Sequence, residues 1–453
     1  MGLLSLLTRR PRLPRDGVNL ASPEFKANPF AYYARLRAEA PVFRTVLPTN
    51  EIAWLVTRYD DVAMVLKDER FVKDTANAMT PEQLAAQRWF RKMFKSLKRN
   101  MLERDPPDHT RLRALVSSAF TPRLIEQMRP RIERLADELL DAALARAGSS
   151  KTEPRPHVHA NGQPRSSAVL DVIRDYALPL PTTIIAEMLG VPVADRRRFH
   201  QWSSAIVAAG SSTWGLVKAV PNVLAIMRYI RKIIKGRRAN ARDDLVSALV
   251  RAEQAGDKLS EDESVAMVFL LLVAGHETTV NLIGNGLLAL LEHPAQLEKL
   301  RNDPALIRPA IEEMLRYASP AETATERYAR EDVTVGGVTI PRGEMVFAVI
   351  ASANRDERQF ANPDALDITR EPNRHLSFGL GTHFCLGAPL ARLEGQIAIN
   401  TLLSRLPQPK LAVAPSALRW RRGLVLRGLE SLPVENASEP PMKHRWNTDF
   451  KKH

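Results

Sequence analysis

The sequence predicts a mainly α-helical fold with a minor β region, built as a single large helical domain with small sheets. Helical periodicity dominates residues 108–148, 170–190 and 195–249, and proline and glycine separate the segments. Between Pro41 and Phe71, short apolar runs alternate with polar residues before Tyr59–Leu66 turns helical. We therefore expect a small N-terminal sheet beside a larger helical body.

Composition places most of the chain in one folded unit. Of its 453 residues, 45% are hydrophobic and 26% are charged, as is typical of globular proteins. We assign residues 21–434 to the folded catalytic domain, and residues 1–20 and 435–453 to a flexible N-terminal arm and a flexible C-terminal tail. Residues 149–167 are rich in Pro, Ser and other turn formers, which predicts a mobile loop insertion.

The net charge of +14 raises the question of nucleic-acid binding. Basic clusters occur at residues 196–198 and 232–242, but no zinc-finger spacing, RNP-like aromatic motif or basic region leading into heptads accompanies them. We expect no nucleic-acid partner and assign the charge to steering an acidic protein. His157 and His159 lie in the polar loop, where paired histidines are usually solvated rather than bound to a metal.

The cellular compartment follows from the cysteine content. A single cysteine, Cys385, excludes an intramolecular disulfide framework and favours a reducing compartment, so the sequence predicts a cytoplasmic protein. The apolar run of residues 1–7 is too short for a signal peptide. The longest apolar run elsewhere, Val265–Gly275, is below the roughly 20 residues of a bilayer-crossing helix, which predicts no transmembrane span.

A long buried helix is predicted to begin after Ser260. Ser260 and Glu263 have capping-box spacing, and residues 265–274 are apolar on every face. The pattern continues to the stop at His293-Pro294. About 30 residues at roughly 1.5 Å each give a helix about 45 Å long, which is enough to cross a whole domain.

The middle of this helix, residues 274–279, has two interpretations. Glu277 and Thr278 either lie on an exposed turn, or the threonines bond back to carbonyls of the preceding turn. Alternatively, the small residues Ala274 and Gly275 leave space for a diatomic ligand, and Glu277 and Thr278 relay protons to it. The residues by themselves leave both readings open.

The only cysteine lies in a glycine-rich segment, residues 378–387, that leads into a predicted helix over residues 388–403. Three glycines allow positive φ and a close approach of the backbone to a flat ring, and the helix N-terminus is expected to lower the pKa of the Cys385 thiol. A lone cysteine is usually a small buried apolar residue, but that reading leaves the glycines and His383 unexplained. A nucleophilic thiol paired with His383 is a third alternative, which their i, i+2 spacing does not establish.

This segment resembles the haem-binding signature of the cytochrome P450 superfamily, soluble bacterial type. The fixed positions are Phe378, Gly379, Gly381, His383, Cys385 and Gly387. The resemblance implies the cytochrome P450 fold, haem b as cofactor and Cys385 as the thiolate ligand of its iron. It also covers residues 41–434 in the family's order of elements, while the 149–167 loop and the basic tail depart from it.

Further elements match the same family. Glu313 and Arg316 have the spacing of the family's Glu-x-x-Arg element, and Arg370 matches the third member of that buried structural network. His109 and Arg113 share a helix face, where two cations favour an anion. The resemblance implies haem contacts from His109, Arg113, Ala274, Arg327, Phe378, Gly379, His383, Cys385 and Gly387, the basic ones on the two propionates. Arg111 is expected to be solvated.

The resemblance also assigns the distal residues. Glu277 is implied as the acid and Thr278 as the alcohol that deliver protons during oxygen activation. The expected substrate contacts, by resemblance, are the stretch 79–101, the helices in 203–234, and Leu270, Val273, Ala274, Thr323, Thr325, Leu424 and Val425. These residues are mixed and mostly apolar, which predicts a terpenoid, steroid, fatty acid or polyketide substrate.

The implied reaction is hydroxylation or epoxidation by a haem-thiolate monooxygenase that uses O2. No flavin or iron–sulfur signature is seen, so we expect electrons from a ferredoxin or flavodoxin with its NAD(P)H reductase, and an acidic partner would suit the positive charge. We further expect a monomer with a role in secondary metabolism. A peroxygenase using hydrogen peroxide and a non-catalytic haem sensor or DNA-binding protein remain as alternatives.

Overall fold

The computed structural model describes residues 18–49, 51–85, 95–117, 120–149, 169–196, 198, 201–202, 213–242, 244–254 and 259–436. Most of the predicted arm, loop and tail, with His157 and His159, lies outside these residues. At the edges, Leu20 is buried in a hydrophobic cluster, and Glu435 belongs to the last strand. The described residues therefore include the end of the segment predicted as arm and the start of the segment predicted as tail.

The predicted helical body is present. Its α-helices within the described residues are α1 (Pro23–Ala27), α2 (Phe30–Glu39), α3 (Tyr59–Lys67), α4 (Pro81–Ala85), α5 (Asp108–Ser117), α6 (Pro122–Gln127), α7 (Arg129–Ser149), α8 (Pro179–Met188), α9 (Thr213–Ala239), α10 (Leu245–Gln254), α11 (Glu261–Glu292), α12 (Pro294–Asn302), α13 (Ile307–Ala318), α14 (Ile350–Ala353) and α15 (Ala388–Arg405).

The β region is small, as predicted. Its strands are β1 (Val42–Val46), β2 (Ile52–Val56), β3 (Phe71–Val72), β4 (Val169–Asp171), β5 (Arg327–Ala329), β6 (Val333–Val335), β7 (Val338–Ile340), β8 (Met345–Ala348), β9 (Pro409–Leu411) and β10 (Pro433–Asn436). They form a five-stranded sheet of order β1-β2-β8-β5-β3, a three-stranded sheet β4-β10-β9 and the hairpin β6-β7.

The N-terminal sheet is completed by distant strands. β1 and β2 pair antiparallel, as the alternation predicts, but β2 then pairs parallel with β8. The helical prediction for residues 170–190 is wrong at its start, because Val169–Asp171 pairs with β10. A π-helix, Ile173–Ala177, then precedes α8. Pairing with a strand far along the chain overrides local periodicity in this segment.

Helix α11 is the central element and matches its prediction closely. Ser260 and Glu263 form the reciprocal capping box, and the helix runs for 32 residues to its end at His293-Pro294. It packs against α8, α9, α13 and α15, and its apolar side chains join the main helical core. The site described below therefore borders the most buried element of the molecule.

Helix α11 also has the length and composition of a membrane-crossing helix, with a mean hydropathy of 1.6 over its most apolar window. The sequence analysis predicted no transmembrane span because it considered only the uninterrupted apolar run, which is shorter than this helix. In the structure 67% of that window is buried inside the protein. Contacts with other helices thus account for most of its apolar surface.

Candidate active site

A cavity of about 820 Å³ lies beside α11. It brings together segments far apart in sequence: α5, α11, the segment leading into β5, the cysteine segment and a C-terminal turn. Of the predicted site residues, those lining it are His109, Arg113, Leu270, Val273, Ala274, Thr278, Thr323, Thr325, Arg327, Phe378, Gly379, His383, Cys385, Gly387, Leu424 and Val425. Glu277 is not among the lining residues.

The cysteine segment forms one wall of the cavity. Gly379 and Gly381 both have φ of +70°, and a Cβ on Gly381 would approach the carbonyl oxygen of Leu66 to 3.0 Å. The amide of Cys385 donates to the carbonyl of Phe378 at 2.9 Å, which closes the segment into a compact loop. Helix α15 begins directly after Gly387. Gly379 and Gly381 therefore have the positive φ predicted for them, whereas Gly387 has an ordinary φ of −80°.

The Cys385 sulfur faces the cavity with the backbone amides of Gly387 and Ala388 turned toward it. Burial raises the pKa of the Cys385 thiol, and these amides, Arg113 and Arg392 only partly offset that effect. The helix N-terminus thus contributes the predicted lowering of the thiol pKa, but the protein packed around the sulfur raises that pKa by more.

Nitrogen-bearing side chains gather at one end of the cavity. The rings of His109 and His383 lie 4.4 Å apart between centroids. Arg327 donates to the carbonyls of Phe71 at 3.2 Å and Leu66 at 3.3 Å. Both ring nitrogens of the buried His109 and the Nε of Arg327 have no hydrogen-bond partner within the described part of the chain. Buried donors of this kind call for an acceptor.

The protein around the two histidines disfavours their protonated forms, whereas the sequence interpretation treats His109 as a cation. Burial, with Arg327 and other nearby cations, lowers the pKa of His383 to about 2. Burial and Arg113 lower the pKa of His109 in the same direction. Each ring still offers an N–H donor, while Arg113 and Arg327 bring the positive charge.

The middle of α11 reaches the cavity through Ala274 and Thr278. The Thr278 hydroxyl donates to the Ala274 carbonyl at 3.3 Å, as in the first of the two interpretations of this helix. Thr278 also lines the cavity, as the second interpretation requires. Gly275 lines the cavity, as its predicted role requires. It also allows close helix packing, because a Cβ at this position would meet Ile185 of α8 at 3.0 Å.

Glu277 points away from the cavity, and its environment excludes the exposed-turn interpretation. Its side chain is buried, pairs with Arg421 and lies 3.9 Å from the Nε2 of His276. Burial lowers the pKa of His276, whose Nδ1 donates to the Leu272 carbonyl at 2.8 Å. Arg421 was not foreseen, because it approaches α11 from a turn 144 residues away.

The comparison with known protein families decides what this site is. The cytochrome P450 family model matches residues 11–409. This chain belongs to the cytochrome P450 family. It is accordingly a haem-iron monooxygenase that acts on an apolar organic substrate and takes its electrons from redox partners.

Relatives of this cytochrome P450 are bacterial. The polyketide biosynthesis cytochrome P450 PksS of Bacillus subtilis is 46% identical over 91% of this chain and 96% of its own length. The monooxygenase PikC of Streptomyces venezuelae is 43% identical over 91% and 92%. A myxobacterial cytochrome P450 solved in complex with myristic acid superposes with a TM-score of 0.82, at 42% identity over 92% of this chain and 99% of its own.

The residues present fit haem b, the cofactor of the family. The lone thiol with its amide donors suits an iron ligand, and the space beside it is open, since a Cβ on Gly379 or Gly387 would meet no atom closer than 3.9 Å. The unpartnered nitrogens of His109 and Arg327 suit carboxylates at the ring edge. The cysteine and the glycines were recognisable in sequence because they belong to a fixed motif.

Lys73 was missed by the sequence analysis. It lines the cavity and is buried, and its ammonium donates to the Thr325 hydroxyl and the Glu326 carbonyl, each at 2.6 Å. Burial lowers the pKa of Lys73 to about 8. In the sequence, Lys73 is marked only by following the apolar pair Phe71-Val72, and this does not distinguish it from other lysines. Its bond also occupies Thr325, one of the predicted substrate contacts.

Glu394 of α15 is a second missed residue. Its carboxyl group is buried at the cavity wall, close to the Thr279 side chain. Neither carboxyl oxygen has a well-formed hydrogen bond within the described residues. Burial raises its pKa to about 8 from an ordinary 4.5. The side chain is therefore mostly protonated at neutral pH, so a largely apolar wall contains a carboxylic acid that can donate a proton.

We expect Glu394 to make stability depend on pH. The folded protein holds its proton more tightly than the unfolded chain, so stability present below pH 4.5 is lost as pH rises to about 8. The loss amounts to at most about 1.4 kcal/mol per pH unit within this window. Urea unfolding of the haem-loaded protein at several pH values should show this slope, and Glu394→Gln should reduce it. Equal slopes in both proteins would contradict the assignment.

Proposed function

We propose that this cytochrome P450 hydroxylates or epoxidises a polyketide-type substrate in a pathway of secondary metabolism. The main support for this proposal is the cavity of about 820 Å³, whose walls are largely aliphatic and aromatic. Leu270 and Val273 of α11 lie on one side, and Thr323 and Val425 lie on another. Haem occupies part of this cavity, and the apolar walls of the remainder suit an apolar molecule that only a few polar groups orient. The relative named for polyketide biosynthesis supports this substrate class.

A fatty acid is the second candidate. The myxobacterial relative, which superposes closely, was solved with myristic acid bound. Both candidates are tested by adding macrolactones, linear polyketides, fatty acids and steroids separately to the ferric enzyme and following the spin-state shift. Tightest binding of a steroid or terpenoid would overturn the polyketide assignment.

In the proposed mechanism, the protein's own residues bind and orient the groups. Cys385 ligates the iron, and His109, Arg113, Arg327 and His383 hold the haem carboxylates. Bound haem supplies the activation of dioxygen, promoted by electron donation from the thiolate. Ala274, Phe378, Gly379 and Gly387 pack against the ring. The apolar walls exclude water from the reacting carbon and hold it close to the iron.

Thr278 and Glu277 are proposed to deliver protons. The Thr278 hydroxyl lies on the cavity wall, and Glu277 is one residue away with its carboxylate on Arg421. Since Arg421 is partly exposed, Glu277 can take up a proton from water beside this pair. Rotation of Glu277 away from Arg421 would then bring the proton to Thr278.

We expect Thr278→Ala to lower product formed per NAD(P)H consumed by about 10²-fold, as for loss of one acid–base group. The unproductive electrons should appear as hydrogen peroxide. Thr278→Ser, which keeps the hydroxyl, is the matched control and should retain most of the coupling. Normal NAD(P)H-coupled turnover by the alanine variant would refute the relay. Turnover with hydrogen peroxide alone, unaffected by the substitution, would instead support the peroxygenase alternative.

The electrons are proposed to come from a ferredoxin or flavodoxin with its NAD(P)H reductase. The 453 residues contain one cysteine, too few for a cysteine-ligated iron–sulfur cluster, and their charge of +14 suits an acidic partner. We also propose a cytoplasmic monomer, in line with the lone cysteine and the bacterial relatives. Turnover with acidic and basic ferredoxins at rising ionic strength tests the partner's charge.

A further inference from the structure

A buried charged cluster lies behind the cavity, outside the residues already discussed. The ammonium of Lys26 is 2.8 Å from the Glu322 carboxylate, and their side chains are 0% and 1% exposed. The Tyr33 hydroxyl donates to the same carboxylate at 2.5 Å. Lys26 and Tyr33 belong to α1 and α2, and neither of them lines the cavity.

Glu322 connects this cluster to the cavity wall. Its amide donates to the Val425 carbonyl at 2.8 Å, and the amide of its neighbour Thr323 approaches the same oxygen at 3.3 Å. The Ala351 amide in turn donates to the Glu322 carbonyl at 2.9 Å. Thr323 and Val425 are both proposed substrate contacts. The carboxylate of Glu322 thus holds the backbone that presents them.

Arg427 fixes the same wall from its other end. Its Nε donates to the Lys26 carbonyl at 2.8 Å, and its backbone amide donates to the Pro320 carbonyl at 3.0 Å. The Gly423 amide donates to the Ala21 carbonyl at 3.2 Å. The N-terminal segment is therefore bonded to both segments that form this wall, residues 320–323 and 423–427. Val425 also packs against the hydrophobic cluster that contains Tyr33.

The physical consequence is a wall with little freedom to move. A buried carboxylate that loses its cation or hydrogen bond is strongly penalised, so the pair allows few alternative positions for the backbone that carries it. Burial lowers the pKa of Lys26, and Glu322 opposes this effect. Tyr33 keeps its proton, because burial and Glu322 raise its pKa.

We propose that Lys26, Tyr33 and Glu322 are positioning residues that set the site of oxygen insertion by holding Thr323 and Val425 against the substrate. The proposal rests on the proposed function, in which these two residues contact the substrate. The cluster acts on the orientation of the bound molecule and leaves the iron site unchanged. A displacement of about 1 Å at a reacting atom is enough to change rates severely.

The test uses the haem-loaded enzyme and one substrate that gives at least two oxidised regioisomers. Tyr33→Phe removes one hydrogen bond with almost no change in volume. The double variant Lys26→Met/Glu322→Gln removes both charges and leaves neither of them unpaired. The matched control is Tyr59→Phe, which loses a hydroxyl that donates to the Arg374 carbonyl at 2.7 Å away from the cavity. Thr323→Val and Val425→Ala report whether the wall touches the substrate.

We expect both cluster variants to change the regioisomer ratio by about threefold or more, with the reduced CO-bound spectrum unchanged. Tyr33→Phe should also lower the unfolding midpoint, because it removes one hydrogen bond from the buried Glu322 carboxylate. The control should keep the ratio. If the wall variants change the ratio and the cluster variants do not, the inference is wrong while the proposed function stands. If the wall variants also leave it unchanged, the proposed substrate contacts fail instead.

Discussion

Replacing Cys385 by serine abolishes the thiolate-type Soret band of the reduced, CO-bound enzyme and lowers monooxygenation to background. The chain contains no second cysteine, so no other thiolate can take its place. Serine keeps the size of the side chain but ligates iron poorly and donates little electron density to it. The loop should survive, since its closing bond joins the backbone amide of Cys385 to the Phe378 carbonyl. Absorption spectra and product assays measure the two effects.

Thr382→Ala is the control for this experiment. Thr382 lies three residues before Cys385 in the same segment and is exposed, and it does not line the cavity. We expect this variant to keep both the spectrum and the activity. A thiolate-type band in the serine variant would show that Cys385 is not the iron ligand.

The second large effect concerns stability. We expect Glu313→Gln to lower the free energy of unfolding by about 3–5 kcal/mol, because it leaves the fully buried Arg316 without its counter-charge. Arg316 makes two bonds of 2.7 Å to Glu313 and also donates to the carbonyls of Asn354, Pro363 and Ala365. Arg370 contacts Glu313 at 3.3 Å, which confirms the predicted three-residue network.

Glu126→Gln is the matched control, since Glu126 and Arg129 have the same i, i+3 spacing on an exposed helix end. Such a surface pair contributes only about 0–1 kcal/mol. Urea unfolding of both variants, followed by circular dichroism, compares buried and exposed pairs of the same chemistry. Equal, small losses in the two variants would contradict the structural role of Glu313.

The central helix shows how far local sequence reaches. Its capping box, apolar faces and proline stop are local features, so both of its ends were predictable from residues near them. The haem motif was predictable for a similar reason, because positive φ at Gly379 and Gly381 requires glycine whatever surrounds the loop. Residues 169–171 were misassigned, since their strand exists only by pairing with β10.

What a residue does inside the site depended on its neighbours in space. Sequence identified Glu277 but not its partner Arg421, which holds the carboxylate away from the cavity. It also gave no sign that Gly275 packs against Ile185. It gave no sign that Lys73 and Glu394 line the cavity or that burial moves their pKa values toward 8. Desolvation depends on every group around a side chain, and few of these are adjacent in sequence.

The amino-acid sequence by itself determined the central helix and the glycine-rich loop around Cys385, because each rests on a short segment whose residue types are dictated locally, and its resemblance to a family motif indicated the reaction class. Only the tertiary structure decided the protonation of the buried groups, the shape of the cavity and the cluster of Lys26, Tyr33 and Glu322 behind its wall. The physical reason is distance along the chain: Tyr33 and Glu322 are 289 residues apart, and folding alone makes them neighbours.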